Sequence, residues 1–112
     1  MHNSQLQSLV LIELEDLKAL DIKIIDVQKL TTITDLMIIC NGRSARHVKA
    51  IAKNLIQTMK SKKCLPLGVE GLEGKGEWVL VDLDFIIVHI MMPETREFYA
   101  LEKLWEINSG TE

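Results

Sequence analysis

The sequence predicts a single-domain α/β sandwich with a mixed sheet, its elements in the order αββαβββα. Three observations lead there. "SARHVKAIAKNLIQTMKSKK" repeats its apolar residues at helical spacing. "DLMIICNG" and "FIIVHIMM" are short, nearly continuous aliphatic runs, as expected of covered strands. Helices and strands also alternate, so more than one helix needs a sheet to cover.

The elements follow in order. "LQSLVLIELEDLKALD" (6–21) reads as a first helix whose apolar face includes Leu6, Leu9, Val10, Leu14 and Leu17. "IKIIDVQKL" (22–30) is rich in isoleucine and valine and predicts a strand. "DLMIICNG" (35–42) is the second strand, ended by Gly42. In the second helix Val48, Ile51, Ala52, Leu55, Ile56 and Met59 fall on one face. Ser44 precedes it as an N-cap, because its hydroxyl can accept from a first-turn amide. "PLGVEG" is a short strand, and "EWVLVDL" with "FIIVHIMM" a hairpin. "PETREFYALEKLWE" is a last helix, with Pro93 where no amide hydrogen is needed.

With 112 residues, one domain covers the chain, its core from about 5 to 105 and a short C-terminal tail beyond. Aromatics are 4% of the residues, so the core should be aliphatic and each aromatic informative. The net charge of −3 argues against general nucleic-acid binding. "MHNSQLQSLV" has no basic run followed by an apolar one, and no stretch reaches membrane-spanning length. A cytoplasmic protein with no membrane contact is expected. Cys40 and Cys64 lack CxxC spacing and read as free thiols.

Asp82 and Asp84 stand one residue apart. Paired carboxylates can hold magnesium for nucleotidyl transfer, and the "NGRSARH" turn (41–47) is a rough phosphate loop. A hairpin turn explains the pair better. With Leu83–Asp84 as a two-residue tip, Asp82 faces Phe85, Leu80 faces Ile87 and Trp78 faces His89. That register gives one aliphatic face (Val79, Val81, Ile86, Val88, Ile90) to lie under the helices. The other carries Trp78, Leu80, Asp82, Phe85, Ile87 and His89, a composition suited to binding. Trp78 is either a partner anchor or a second-layer core residue capped by the last helix. His89 reads as packed and hydrogen-bonded, His47 as a solvated first-turn residue. No acidic residue occurs from 36 to 69, where Arg43, Arg46 and Lys49 head a basic helix. These three are candidate contacts to phosphate, as in an RNA, or simply a solvated face. No catalytic residue, metal or cofactor is assigned.

The blocks "DVQKLTTITDLMIICNGRSARHVKAIA", "GVEG", "EWVLVDL…VHIM" and "REFYALEKLW" together resemble the ribosomal silencing factor family, also called RsfS or iojap. The resemblance runs from the first helix to Trp105. It implies a nucleotidyltransferase-like α/β fold without catalysis. It implies binding to the large ribosomal subunit through ribosomal protein L-fourteen, blocking subunit joining when nutrients are scarce. It further implies a homodimer. The family's binding surface centres on the tryptophan of the "EWVLVD" block, here Trp78, with Leu80 and Asp82. Arg96 and Tyr99 are added from the last block, where Leu101, Leu104 and Trp105 would pack. At Asp84–Phe85 the family usually has Gly-Asp, so the Asp-x-Asp pattern belongs to this chain. The competing function is a small magnesium-dependent nucleotidyltransferase using Asp82 and Asp84. A third is an assembly partner that works only as a dimer.

Overall fold

A computed structural model describes residues 2–103. Leu104, Trp105 and the tail lie outside the described residues. Eight elements follow in the order α1 (Asn3–Asp16), β1 (Leu20–Asp26), β2 (Leu36–Asn41), α2 (Ala45–Ser61), β3 (Gly68–Glu70), β4 (Trp78–Asp82), β5 (Ile86–Met91) and α3 (Pro93–Tyr99). The five strands form one sheet, ordered β1-β2-β5-β4-β3. Among the described residues only the β2–β5 pair is parallel, so the sheet is mixed as predicted.

Packing follows the strand alternation. Helices α1 and α2 lie over one face, burying Leu36, Ile38 and Cys40 of β2, Val79 and Val81 of β4, and Ile86, Val88 and Ile90 of β5. All five predicted aliphatic hairpin residues are fully buried. The helices contribute Leu6, Val10 and Leu14 from α1, and Val48, Ile51, Leu55 and Met59 from α2. Glu13 ties them together, accepting from Asn54 Nδ2 and Thr58 Oγ1, each at 2.9 Å. All six β2 residues are buried, which explains its unbroken apolar run. Ser44 caps α2 as expected, its hydroxyl accepting from the His47 amide at 3.1 Å.

Four boundaries differ from the sequence reading. The first helix stops at Asp16 because Lys18 turns left-handed (φ 59°), freeing Leu20 to pair with Asn41. Strand β1 ends at Asp26 rather than Leu30, where the Asp26 carboxylate accepts from the Gln28 amide and starts a turn. The hairpin tip is Asp84–Phe85, not Leu83–Asp84. Leu83 is buried in the core and its amide bonds Ile86 carbonyl, so it still belongs to the ladder. The pairs become Asp82–Ile87, Leu80–His89 and Trp78–Met91. Each partner moves by two residues, so the two faces survive. Phe85 alone changes side and packs against the main core.

The last helix breaks at Ala100, which is left-handed (φ 49°), and helical backbone resumes at Leu101. The break turns Leu101 onto a second cluster and Glu102 back toward Arg96.

Candidate functional site

On the face opposite α1 and α2, cross-strand rows run Asn41–Met91–Trp78, Ile39–His89–Leu80–Glu70 and Met37–Ile87–Asp82–Gly68. Its β1–β2 end is a second core: Ile25, Val27, Met37, Ile39 and Met91 are buried, with Trp78 and Leu101 packed against them. Toward β3 this cover stops.

Trp78 stands at that margin. Its ring lies 5.0 Å from Tyr99, which in turn meets Phe98 edge-on at 5.0 Å. Tyr99 is 57% exposed and Phe98 81%. The indole Nε1 donates to His89 Nδ1 at 2.9 Å. His89 is buried as predicted, and burial pushes its pKa down from 6.5 to about 4. It is therefore neutral near pH 7. Beside the indole, Glu70, Gly71 and Leu80 complete an open hollow of about 220 Å³. Gly71 is required there. Its φ is +86°, and a Cβ would come within 2.2 Å of the Trp78 carbonyl oxygen. One side of the Trp78 ring packs on the second core, and the other borders open surface.

The remaining expected site residues separate. Leu80 and Asp82 share Trp78's face, both half-buried. Arg96 is engaged within the fold. Its Nε and Nη2 donate to Glu102 at 2.5 and 3.2 Å, and Nη1 donates to Asp21 carbonyl at 2.7 Å and to Asn41 Oδ1 at 3.0 Å. The hydrogen bond to Arg96 holds the Glu102 carboxyl below its usual range. Arg96 clamps α3 and the chain after it to the ends of β1 and β2. Sequence reasoning missed Asn41 as its anchor and Glu70–Gly71 as the wall of the hollow. The β3–β4 register, which sets Glu70 beside Leu80, is what reveals the second.

The nucleotidyltransferase constellation is drawn into local structure. Asp82 Oδ1 accepts from the Asp84 amide at 2.9 Å, an Asx turn. In the 41–47 turn the Arg43 amide donates to His47 Nδ1 at 2.9 Å, and the His47 amide to Ser44. His47 is thus not a solvated residue: Nε2 also meets Leu17 carbonyl at 2.6 Å, strapping α1 to α2. Among the described residues no group of three or more His, Cys, Asp or Glu could hold a metal ion. Arg43 and Arg46 are exposed and Lys49 half-buried. They lie at the start of α2, on the helix-covered side of the sheet, and are not brought together with Trp78. Cys40 is a buried free thiol with its pKa pushed up to about 12 by that burial; Cys64 is also free. No helix among the described residues is long and apolar enough to cross a membrane.

A family model described as "Ribosomal silencing factor during starvation" matches residues 1–112. The chain belongs to the ribosomal silencing factor (RsfS) family. It is 48% identical over 92 residues to the ribosomal silencing factor RsfS of Haemophilus influenzae, covering 82% of this chain and 89% of that protein. A crystal structure of a Chromobacterium violaceum protein superposes with a TM-score of 0.90 at 40% identity, covering 94% of this chain and 87% of that one. The mouse "Mitochondrial assembly of ribosomal large subunit protein 1" is 40% identical over 93 residues, which are 81% of this chain but 41% of the mouse protein. The RsfS fold and a ribosome-linked regulatory role therefore extend to this chain.

Proposed function

We propose that this silencing factor represses translation by docking the Trp78 face on ribosomal protein L-fourteen of the large subunit, so that the small subunit cannot join. The mechanism is occupancy, not chemistry, and it operates in the cytoplasm when nutrients are limiting. The observation that carries the reading is Trp78 itself. It is a half-buried aromatic, backed by the second core and bordered by exposed Tyr99 and an apolar hollow. Preorganised aromatic anchors of this kind dominate protein interfaces. The mouse relative's name, which ties it to large-subunit assembly, supports the choice of subunit. Leu80, Asp82 and Tyr99 would complete the contact, with Arg96 clamping α3 in place. Arg43, Arg46 and Lys49 would touch ribosomal RNA only at a periphery. The free protein would be a homodimer.

Co-sedimentation with separated ribosomal subunits tests this. Wild type should pellet with large subunits only, and Trp78→Ala should weaken that by about 2 kcal/mol, roughly thirtyfold. Purified L-fourteen should compete. Equal pelleting of wild type and a folded Trp78→Ala would move the site elsewhere.

A further inference from the structure

His89 is a buried polar residue in an aliphatic sheet, and its side chain has a specific task. It lies on β5 between Ile39 of β2 and Leu80 of β4, 5% exposed. Trp78 is one row away on the diagonal. The indole is a donor only, so the ring nitrogen it meets at 2.9 Å must be unprotonated. That fixes the neutral imidazole with its proton on Nε2. The two rings are tilted by 53° with centroids 5.8 Å apart, so they meet through the hydrogen bond and are not stacked. The other neighbours of the indole, Tyr99 and the second core, are apolar or ring contacts. They restrict the indole but do not specify which edge faces inward. The hydrogen bond does.

We propose that His89 is the positioning residue for Trp78: its Nδ1 locks the indole in one orientation, and protonation of His89 releases it. This rests on the reading of Trp78 as the partner anchor. A histidinium carries N–H at both nitrogens, so Nδ1–H would oppose Nε1–H and the lock would open. Burial keeps His89 neutral through the neutral range and lets it charge only as pH falls toward about 4. Among the described residues, the titratable groups on and beside this sheet face include Asp21 and Lys23 on β1, Glu70 on β3, Asp82 on β4, and Arg96, Tyr99, Glu102 and Lys103 from α3 and the segment after it. Trp78 is the residue hydrogen-bonded to the ring.

The test uses the full chain carrying Trp105→Phe, so that Trp78 is the remaining tryptophan. The indole Nε1–H is followed by NMR hydrogen exchange, and Trp78 emission from pH 7 to pH 4. The parent should protect the indole hydrogen and change emission as His89 charges. His89→Leu should speed indole exchange at least tenfold and abolish the emission change. His89→Asn, whose Oδ1 can replace Nδ1, should restore protection but not the pH dependence. Pelleting with large subunits should weaken roughly five- to tenfold in His89→Leu, because an unlocked anchor must be ordered on binding, and recover in His89→Asn. Unchanged indole exchange in folded His89→Leu overturns the lock, whatever the ribosome result. Failure of the binding reading looks different: Trp78→Ala itself pellets like wild type while the indole readouts behave as described.

Discussion

The two faces of the β4–β5 hairpin are built from alternate residues of the same strands and have opposite character. Val79, Val81, Ile86, Val88 and Ile90 are fully buried under α1 and α2 and carry no polar atom in their side chains. Trp78, Leu80, Asp82 and Ile87 are half-buried, and His89 is buried with a hydrogen bond. A strand's two-residue period lets one short segment supply stability on one side and a surface for recognition on the other. Substitutions should therefore sort by parity: those under the helices should unfold the protein, and those opposite should leave it folded but alter what it holds.

The largest effect belongs to the helix side. Leu55→Ala removes a fully buried side chain facing the sheet. It should cost about 3 kcal/mol of unfolding free energy, since the surrounding core relaxes only partly. Chemical denaturation measures this, and the fraction that stays folded should pellet with large subunits as wild type does. A Leu55→Ala protein of normal stability would break the comparison.

Acid attacks the other side. The His89 pKa is lowered in the fold from 6.5 to about 4, so between those values the unfolded chain binds a proton that the folded one refuses. Stability is fully present above about pH 6.5 and falls as pH drops toward 4, by about 3 kcal/mol in all. Glu102, held low by Arg96, adds a further loss only as its carboxylate protonates below its ordinary range. A series of urea melts from pH 7 to 4 should show the slope, and His89→Asn should flatten it. An unchanged slope in His89→Asn would assign the acid sensitivity to other groups.

Arg96 sharpens the comparison because it was read as a contact and is found as a clamp. Its side chain is 12% exposed, with donors to Glu102, Asp21 and Asn41. Arg96→Ala leaves Glu102 and Asn41 without these partners and should cost about 2 kcal/mol of stability. Lost pelleting at unchanged melting temperature would instead make Arg96 a direct contact.

What was legible in the sequence followed from periodicity. Helix α2 was readable from Val48 to Met59, and β2 from its unbroken apolar run, because burial leaves a pattern in residue type. The hairpin faces were readable even with the tip misplaced, because a two-residue change of partner preserves parity. Three of the four boundary errors fall where the backbone turns left-handed without glycine, at Lys18, Asp84 and Ala100; the fourth is the Asx turn that ends β1 at Asp26. Lysine and alanine give no sign of such a turn. The Arg96–Asn41 bond joins residues 55 apart in sequence, and no local pattern encodes it. The candidate site was legible as a Trp-bearing strand face, while its hollow needed the true register of β3 against β4.

The smallest effect lies at the junction of the two faces. Asp84 holds φ 73° at the hairpin tip, where the Phe85 amide bonds back to Leu83 carbonyl in a three-residue turn. A side chain costs energy in that conformation, and glycine does not pay it. The carboxylate of Asp84 is exposed, and the turn's hydrogen bond to Asp82 Oδ1 uses the Asp84 backbone amide, which glycine retains. Asp84→Gly should therefore raise stability by about 0.5 kcal/mol, the relief of strain being partly offset by the greater entropy of glycine in the unfolded chain. Thermal melts would register a rise of a few degrees or less. Since neither face changes, pelleting with large subunits should not move. A loss of binding without a loss of stability would mean that the tip carboxylate itself meets the partner, extending the recognition face past Asp82 to the end of the hairpin.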